Sequence, residues 1–281
     1  MGEVMKAIWE AIVFGAVCAA CGFWLHAEET AGGPRLGDAD FPKPKPTARH
    51  EQKVKAVRSG RYDLVLIGDS ITHSLGELGT PYEKVKEVWD RHYAPRNAIN
   101  LGHNGYRTEE ILWNLHNGEL DFAESPKLFM ILIGTNNSDD RHFKHVHTAE
   151  QICAGTKAIV DLIRQRHPMS KILVLRIFPR GGDDEKSAVG WSFNSSQVCI
   201  ETCRRAGELT KRLADDEAVF WLDVNHVFLR ADGTIDTALM WDLLHPSPAG
   251  AEAWARAVGP TLDRLMGAGA EVTRATEPIA D

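Results

Sequence analysis

The sequence predicts an α/β protein built on a doubly wound, five-stranded parallel sheet with helices on both faces. Three observations carry that expectation. Five short apolar runs, often β-branched, recur along the chain; each is followed by a loop and then a stretch of helical period; and 281 residues with 43% hydrophobic and 25% charged side chains can bury one large core. The runs lie at 62–67, 98–101, 128–133, 172–177 and 219–224. Between the third and fourth, Thr148 and Gln151 form a capping box for a helix whose Ile152, Ile159, Val160 and Ile163 share a face, and Pro168 stops it. After the fifth, Ser247-Pro248 opens a last helix with Trp254, Val258, Leu262 and Leu265 on one side and an expected kink at Gly259-Pro260. In such a sheet ligands sit at the carboxyl ends of the strands, so the chemistry is expected in the loops that follow them.

The flanks read differently. The run AIVFGAVCAACGFWL at 11–25 carries no charge and is short for a membrane span, so residues 1–27 read as a signal peptide, or as an N-terminal anchor if Cys21 takes a lipid after Ala19-Ala20. A buried helix of a cytoplasmic protein is the alternative. Residues 28–50, rich in Gly, Pro and charge, read as a linker, residues 51–266 as the folded domain and residues 267–281 as a flexible tail. With 32 Lys and Arg against 39 Asp and Glu the net charge is −7, which argues against nucleic acid or an anionic membrane surface as the main partner. Any membrane contact then falls to the N-terminal segment. Five cysteines are too few for a disulfide scaffold, and Cys153, Cys199 and Cys203 read as free packing residues.

Four loops hold the candidate chemistry. Gly68-Asp69-Ser70-Ile71-Thr72 follows the first run and presents a serine at a helix start, as a cap, a phosphate cradle or a nucleophile. Residues 100–108 (NLGHNGYRT) follow the second run, and their glycines can expose backbone N–H groups beside the first loop. Gly134-Thr135-Asn136-Asn137 follows the third and places carboxamides where a neutral donor meets a developing oxyanion; a turn with an Asx cap is the plain reading. Asp242-Leu243-Leu244-His245 precedes the last helix, at a spacing that lets the carboxylate reach Nδ1 and leaves Nε2 free as a base; a solvated pair or two metal ligands are the alternatives. His142, His145 and His147 lie in a charged loop, SDDRHFKHVH, whose spacing matches no zinc pattern, so it reads as solvated rather than as a metal site.

Taken in order, GDSIT at 68–72, NLGHNGYRTEEILWNLHNGELD at 100–121, GTNN at 134–137 and DLLH at 242–245 make the chain resemble the SGNH, or GDSL-type, hydrolases, in the branch that looks like the platelet-activating-factor acetylhydrolase catalytic subunit. IVDLIRQRHP at 159–168 and FPRG at 178–181 extend the likeness over most of residues 60–265. The resemblance implies a flavodoxin-like three-layer fold and hydrolysis of carboxylic esters with no metal or other cofactor. It implies Ser70 as nucleophile, His245 as base and Asp242 as its orienter, with the oxyanion held by the N–H groups of Ser70 and Gly105 and the side chain of Asn136. Tyr106 departs from the aspartate common at that position, which makes it, with Asp69 and Asn137, a candidate contact to the substrate. The stretch 181–196 hangs over the same end of the sheet, and its Trp191 and Phe193 are candidates for a sugar or aryl platform. The substrate expected is a short acyl ester, acetyl above all, of a carbohydrate or similar alcohol. An acyltransferase with the same site, or a non-catalytic phosphate or flavin binder, is the alternative.

Overall fold

In the computed structural model, which describes residues 37–79 and 81–267, five strands form one parallel sheet in the order β2-β1-β3-β4-β5. They are β1 (Leu64–Gly68), β2 (Ala98–Gly102), β3 (Leu128–Leu132), β4 (Lys171–Leu175) and β5 (Val219–Leu222), each inside or one residue beside an expected run. The runs are apolar throughout because alternate side chains enter two different cores. Leu64, Leu66, Leu128, Met130, Leu173 and Leu175 face one layer, and Val65, Ile67, Phe129, Ile131, Ile172 and Val174 face the other.

The first layer is closed by α3 (Lys86–His92) and by α7 (Pro248–Met266), whose Trp254, Val258 and Leu262 are buried. The second is closed by α1 (Ala48–Ser59), α4 (Thr108–Asn114) and α5 (Ala149–Arg166). The helix α6 (Gln197–Leu209) packs beside α5 through Cys203 and Ala206; Cys199 and Cys203 are buried and free, and Cys153 is free and half-buried. The capping box of α5 forms as expected, with Gln151 N–H on Thr148 Oγ1 at 3.3 Å and Thr148 N–H on Gln151 Oε1 at 2.9 Å. Ser247 caps α7, which runs through Pro260 without interruption and ends at Gly267, where φ is +80°.

The linker expected at 28–50 is corrected by the fold. Residues 28–36 lie outside the described residues, but 37–50 are part of the domain. Thr47 caps α1, Ala39 is buried, and the carbonyl of Ala39 accepts from Thr108 Oγ1 at 2.8 Å. Lys43 and Lys45 both reach the Glu110 carboxylate, at 3.3 and 3.0 Å. Proline and lysine spacing marks an extended backbone, which is equally suited to lying along a domain surface that offers it acceptors. The expected leader at 1–27, with Cys18 and Cys21, and the tail from 268 also fall outside the described residues. No helix among the described residues is long and apolar enough to cross a membrane.

Candidate active site

Three of the four loops meet over the carboxyl ends of β1 and β3, and the fourth arrives from the far end of the chain. The strand β1 ends on Gly68, and the short helix α2 (Ser70–His73) starts at once, with Asp69 capping the N–H of Ile71 at 3.0 Å. That cap fixes Ser70 in the first helical turn. Asp69 itself is turned inward, where burial pushes its carboxyl up to about 6 against the pull of the Ile71 N–H. The loop after β2 is locked onto α2: Asn100 donates to the carbonyls of Thr72 and Leu75 at 2.8 and 2.9 Å and accepts the N–H of Gly102 at 2.8 Å. Only glycine fits at 102, since a Cβ there would lie 2.3 Å from the backbone nitrogen of His73.

His245 Nε2 lies 2.9 Å from Ser70 Oγ, and its Nδ1 lies 2.8 Å from Asp242 Oδ2. The turn that makes this contact carries a non-glycine residue at positive φ, Leu243 at +72°, held there by complete burial. The same turn aims the N–H groups of Leu244 and His245 at Asp242 Oδ1, at 3.1 and 2.7 Å. Burial pulls the Asp242 carboxyl up. The hydrogen bond and charge of His245, with the two backbone N–H groups, outweigh it and hold the group below the usual carboxylate range. A hydroxyl, an imidazole and a carboxylate in this sequence can move a proton from oxygen to nitrogen and back while the ring keeps one tautomer.

Beside Ser70 opens a cavity of about 190 Å³ whose floor carries Asn104, Gly105 and Asn136. Gly105 adopts φ +69°, and Asn136 Nδ2 donates to the Tyr106 carbonyl at 2.9 Å, so the second and third loops are joined at the cavity edge. Asp139, His142, Phe143, Phe193, Leu244 and His245 complete the lining. The Phe193 ring stands edge-on to the His245 ring, with centroids 5.1 Å apart.

Several residues expected at the substrate are not among those that line this cavity. Asp69 is buried and spends its carboxylate on capping Ile71, as described. Tyr106 points away, its hydroxyl on the Lys45 carbonyl at 2.7 Å and its ring against His103, because the packed 37–50 segment offers it an acceptor. Asn137 is buried and spends its amide on Thr108, Glu109 and His147. Trp191 is 46% exposed and lies outside the cavity, so of the expected aromatic platform only Phe193 lines it. The histidine loop is not simply solvated either. His147 is buried between Arg107 and the Gly37 carbonyl, at 2.6 and 2.8 Å, and His142 turns to the cavity. The sequence reading did not single out Asn104, Asp139, Phe143 or Leu244, and it read His142 as solvated. One signal for Asp139 and His142 was present: 139–142 repeats the Asp-x-x-His spacing of 242–245.

Comparison with known proteins shows the family of the chain. A model described as the GDSL-like lipase/acylhydrolase family matches residues 66–253. The platelet-activating factor acetylhydrolase IB subunit alpha1 of Bos taurus is 33% identical over 218 residues, which cover 77% of this chain and 82% of that protein. Among solved structures, a GDSL-like lipase from Bacteroides thetaiotaomicron superposes with a TM-score of 0.59 at 11% identity, over 77% of this chain and 96% of its own. A variant of an acetyl-xylooligosaccharide esterase from Geobacillus superposes with a TM-score of 0.51 at 23% identity, over 75% and 96%. These two share the fold.

Proposed function

The chain belongs to the GDSL-like lipase/acylhydrolase family and is a carboxylic-ester hydrolase, and from that premise we propose that it removes a short acyl group, acetyl above all, from a carbohydrate or similar polyhydroxylated alcohol through an acyl-enzyme on Ser70. The observation that carries the reading is the run Ser70 Oγ, His245, Asp242 at 2.9 and 2.8 Å, opening on a cavity of only about 190 Å³. His245 Nε2 takes the hydroxyl proton as Oγ attacks the ester carbonyl. The tetrahedral intermediate collapses, the bond to the alcohol breaks, and His245 returns the proton to the leaving oxygen. Water then attacks the acyl-enzyme, gives its proton to His245, and the carboxylic acid leaves as Ser70 is reprotonated. Asp242 holds Nδ1–H, so Nε2 is the basic atom throughout. The N–H groups of Ser70 and Gly105 and the Asn136 amide receive the charge that appears on the carbonyl oxygen only in the transition state. For that, Asn136 exchanges its bond to the Tyr106 carbonyl for one to the oxyanion.

A chain-length series of p-nitrophenyl esters, run on the full chain beside Ser70→Ala, tests this. Acetyl is expected to turn over fastest, with Ser70→Ala at background. Faster turnover of decanoyl than of acetyl overturns the short-acyl reading, and an active Ser70→Ala overturns the nucleophile. A second reading, an acetyl ester of the platelet-activating-factor type, is favoured by the 33% identity to the acetylhydrolase subunits; it keeps the acyl group and changes the alcohol. Product analysis with a sugar acceptor present separates hydrolysis from acyl transfer. The uncharged run at 11–25 supports export of the domain. N-terminal sequencing checks it, and Met1 retained on a soluble protein would count against it.

A further inference from the structure

The cavity contains a second imidazole that the acyl-transfer steps do not use. His142 is carried by Asp139 as His245 is carried by Asp242. Asp139 Oδ1 accepts the N–H groups of Arg141 and His142, both at 3.1 Å, and Oδ2 lies 2.9 Å from His142 Nδ1. The Asp139 side chain is buried, while that of His142 is half exposed and lines the cavity that holds Ser70. With Nδ1–H donated to the carboxylate, the neutral ring presents Nε2 as an acceptor, and Nε2 bonds no described residue. The ring is also fixed from the side, by Phe193 at a centroid distance of 5.6 Å. Phe193 in turn contacts His245, so the two imidazoles flank one aromatic face.

We propose that His142 determines specificity for the alcohol half of the ester, with Nε2 accepting a hydrogen bond from a free hydroxyl next to the acylated oxygen of a neutral polyol or sugar. This inference rests on the esterase reading of Ser70 and deepens it. Neutrality of the ligand follows from the lining: among the described residues that line the cavity there is no lysine or arginine, and the one carboxylate is Asp139. The guanidinium that pairs with that carboxylate, Arg180, is itself buried and spends Nη2 on Asp139 at 3.0 Å and Nη1 on Thr135. An anionic headgroup would find no lysine or arginine among the described lining residues to pair with. A hydroxyl meets an acceptor whose other edge is already fixed, so little side-chain freedom is lost on binding.

The test is the kinetics of the full chain and of His142→Ala and His142→Gln on three esters: a methyl glycoside with one acetyl group and a free neighbouring hydroxyl, the same glycoside with that hydroxyl methylated, and p-nitrophenyl acetate. His142→Ala is expected to lower kcat/KM about tenfold on the first ester, mainly through KM, and to change the other two by less than about twofold. His142→Gln, which keeps an acceptor, is expected to recover part of the loss. An equal fall on all three esters overturns the proposal, because His142 would then act on the site as a whole. No change on the first ester overturns it as well, and so does a wild type that turns over p-nitrophenyl acetate but not the glycoside. A wild type inert on all three esters would instead remove the esterase reading on which the proposal stands.

Discussion

Two Asp-x-x-His turns face one cavity; their hydrogen bonds are alike, but they differ in backbone, with Leu243 at φ +72° in only one of them, and in what surrounds them. In each, an aspartate takes the backbone N–H groups two and three residues on with one oxygen and the imidazole Nδ1 of that third residue with the other. At 242–245 the pair is buried, the aspartate has no guanidinium partner, and Nε2 meets Ser70 Oγ. At 139–142 the imidazole is half exposed and Arg180 pairs with the aspartate. A carboxylate without a cation puts its full charge behind the ring and favours a base; one already paired puts less charge there and leaves a fixed acceptor. In the proposed roles, the same Asp-x-x-His spacing serves proton transfer at one place and recognition at the other.

Removing the two imidazoles in turn separates these roles most sharply. We expect His245→Ala to lower kcat on p-nitrophenyl acetate by roughly 10⁴- to 10⁶-fold and His142→Ala to change it by less than about twofold. Steady-state rates beside a Ser70→Ala blank decide it, and similar losses from the two variants would erase the distinction. Next in size is Asn136→Ala. Loss of one oxyanion donor is expected to cost on the order of 2.7–4 kcal/mol in kcat with little change in KM, and an unchanged kcat would remove Asn136 from the site.

The partner of the second turn can be tested through stability. Arg180 and Asp139 are both buried, so Arg180→Met strands a carboxylate and is expected to cost about 3 kcal/mol in urea unfolding. A cost below about 1 kcal/mol would mean that Asp139 does not depend on that cation. The smallest effect concerns Asp69, where burial outweighs the pull of the Ile71 N–H. Its pKa is raised from 3.8 to about 6, so the folded state binds more protons than the unfolded state between those values, and its contribution to stability falls as pH rises through that window. An asparagine at this position caps the helix equally well and does not ionise. Asp69→Asn is therefore expected to gain on wild type as pH rises from 4 to 6 and to hold a gain of about 2 kcal/mol above it, less than the whole pKa shift because the amide is desolvated in the same place. A pH-independent difference in thermal unfolding would show that the proton is not shared in this way.

Much of this was legible in the residues. The five strands are continuous apolar runs because both faces of the sheet are covered, and the caps at Thr148 and Ser247 are local hydrogen bonds that neighbouring residues satisfy among themselves. The pairing of Asp242 with His245 is also local, three residues apart on one turn. Its meeting with Ser70, 175 residues away, was expected only through the family resemblance. Tyr106 and Asn137 were misplaced for one reason: each lies beside a candidate site residue in sequence, and which way a side chain turns depends on partners brought by distant segments, whereas Asp69 turns to the N–H of Ile71 two residues on. For Tyr106 that partner is the Lys45 carbonyl, and the segment that carries it was read as a linker.

Apolar periodicity and short-range caps are properties of neighbouring residues, and they were enough to specify the sheet, its helices and the presence of a serine, a base and an orienter in loops at one end of the strands. Long-range packing settled the rest: that 37–50 lies on the domain, that Phe193 rather than Trp191 reaches the cavity, and that one of two Asp-x-x-His turns is buried against Ser70 while the other opens toward solvent. Burial and charge pairing are set by residues far apart in the chain, and they separate a base from a binding group where local spacing cannot.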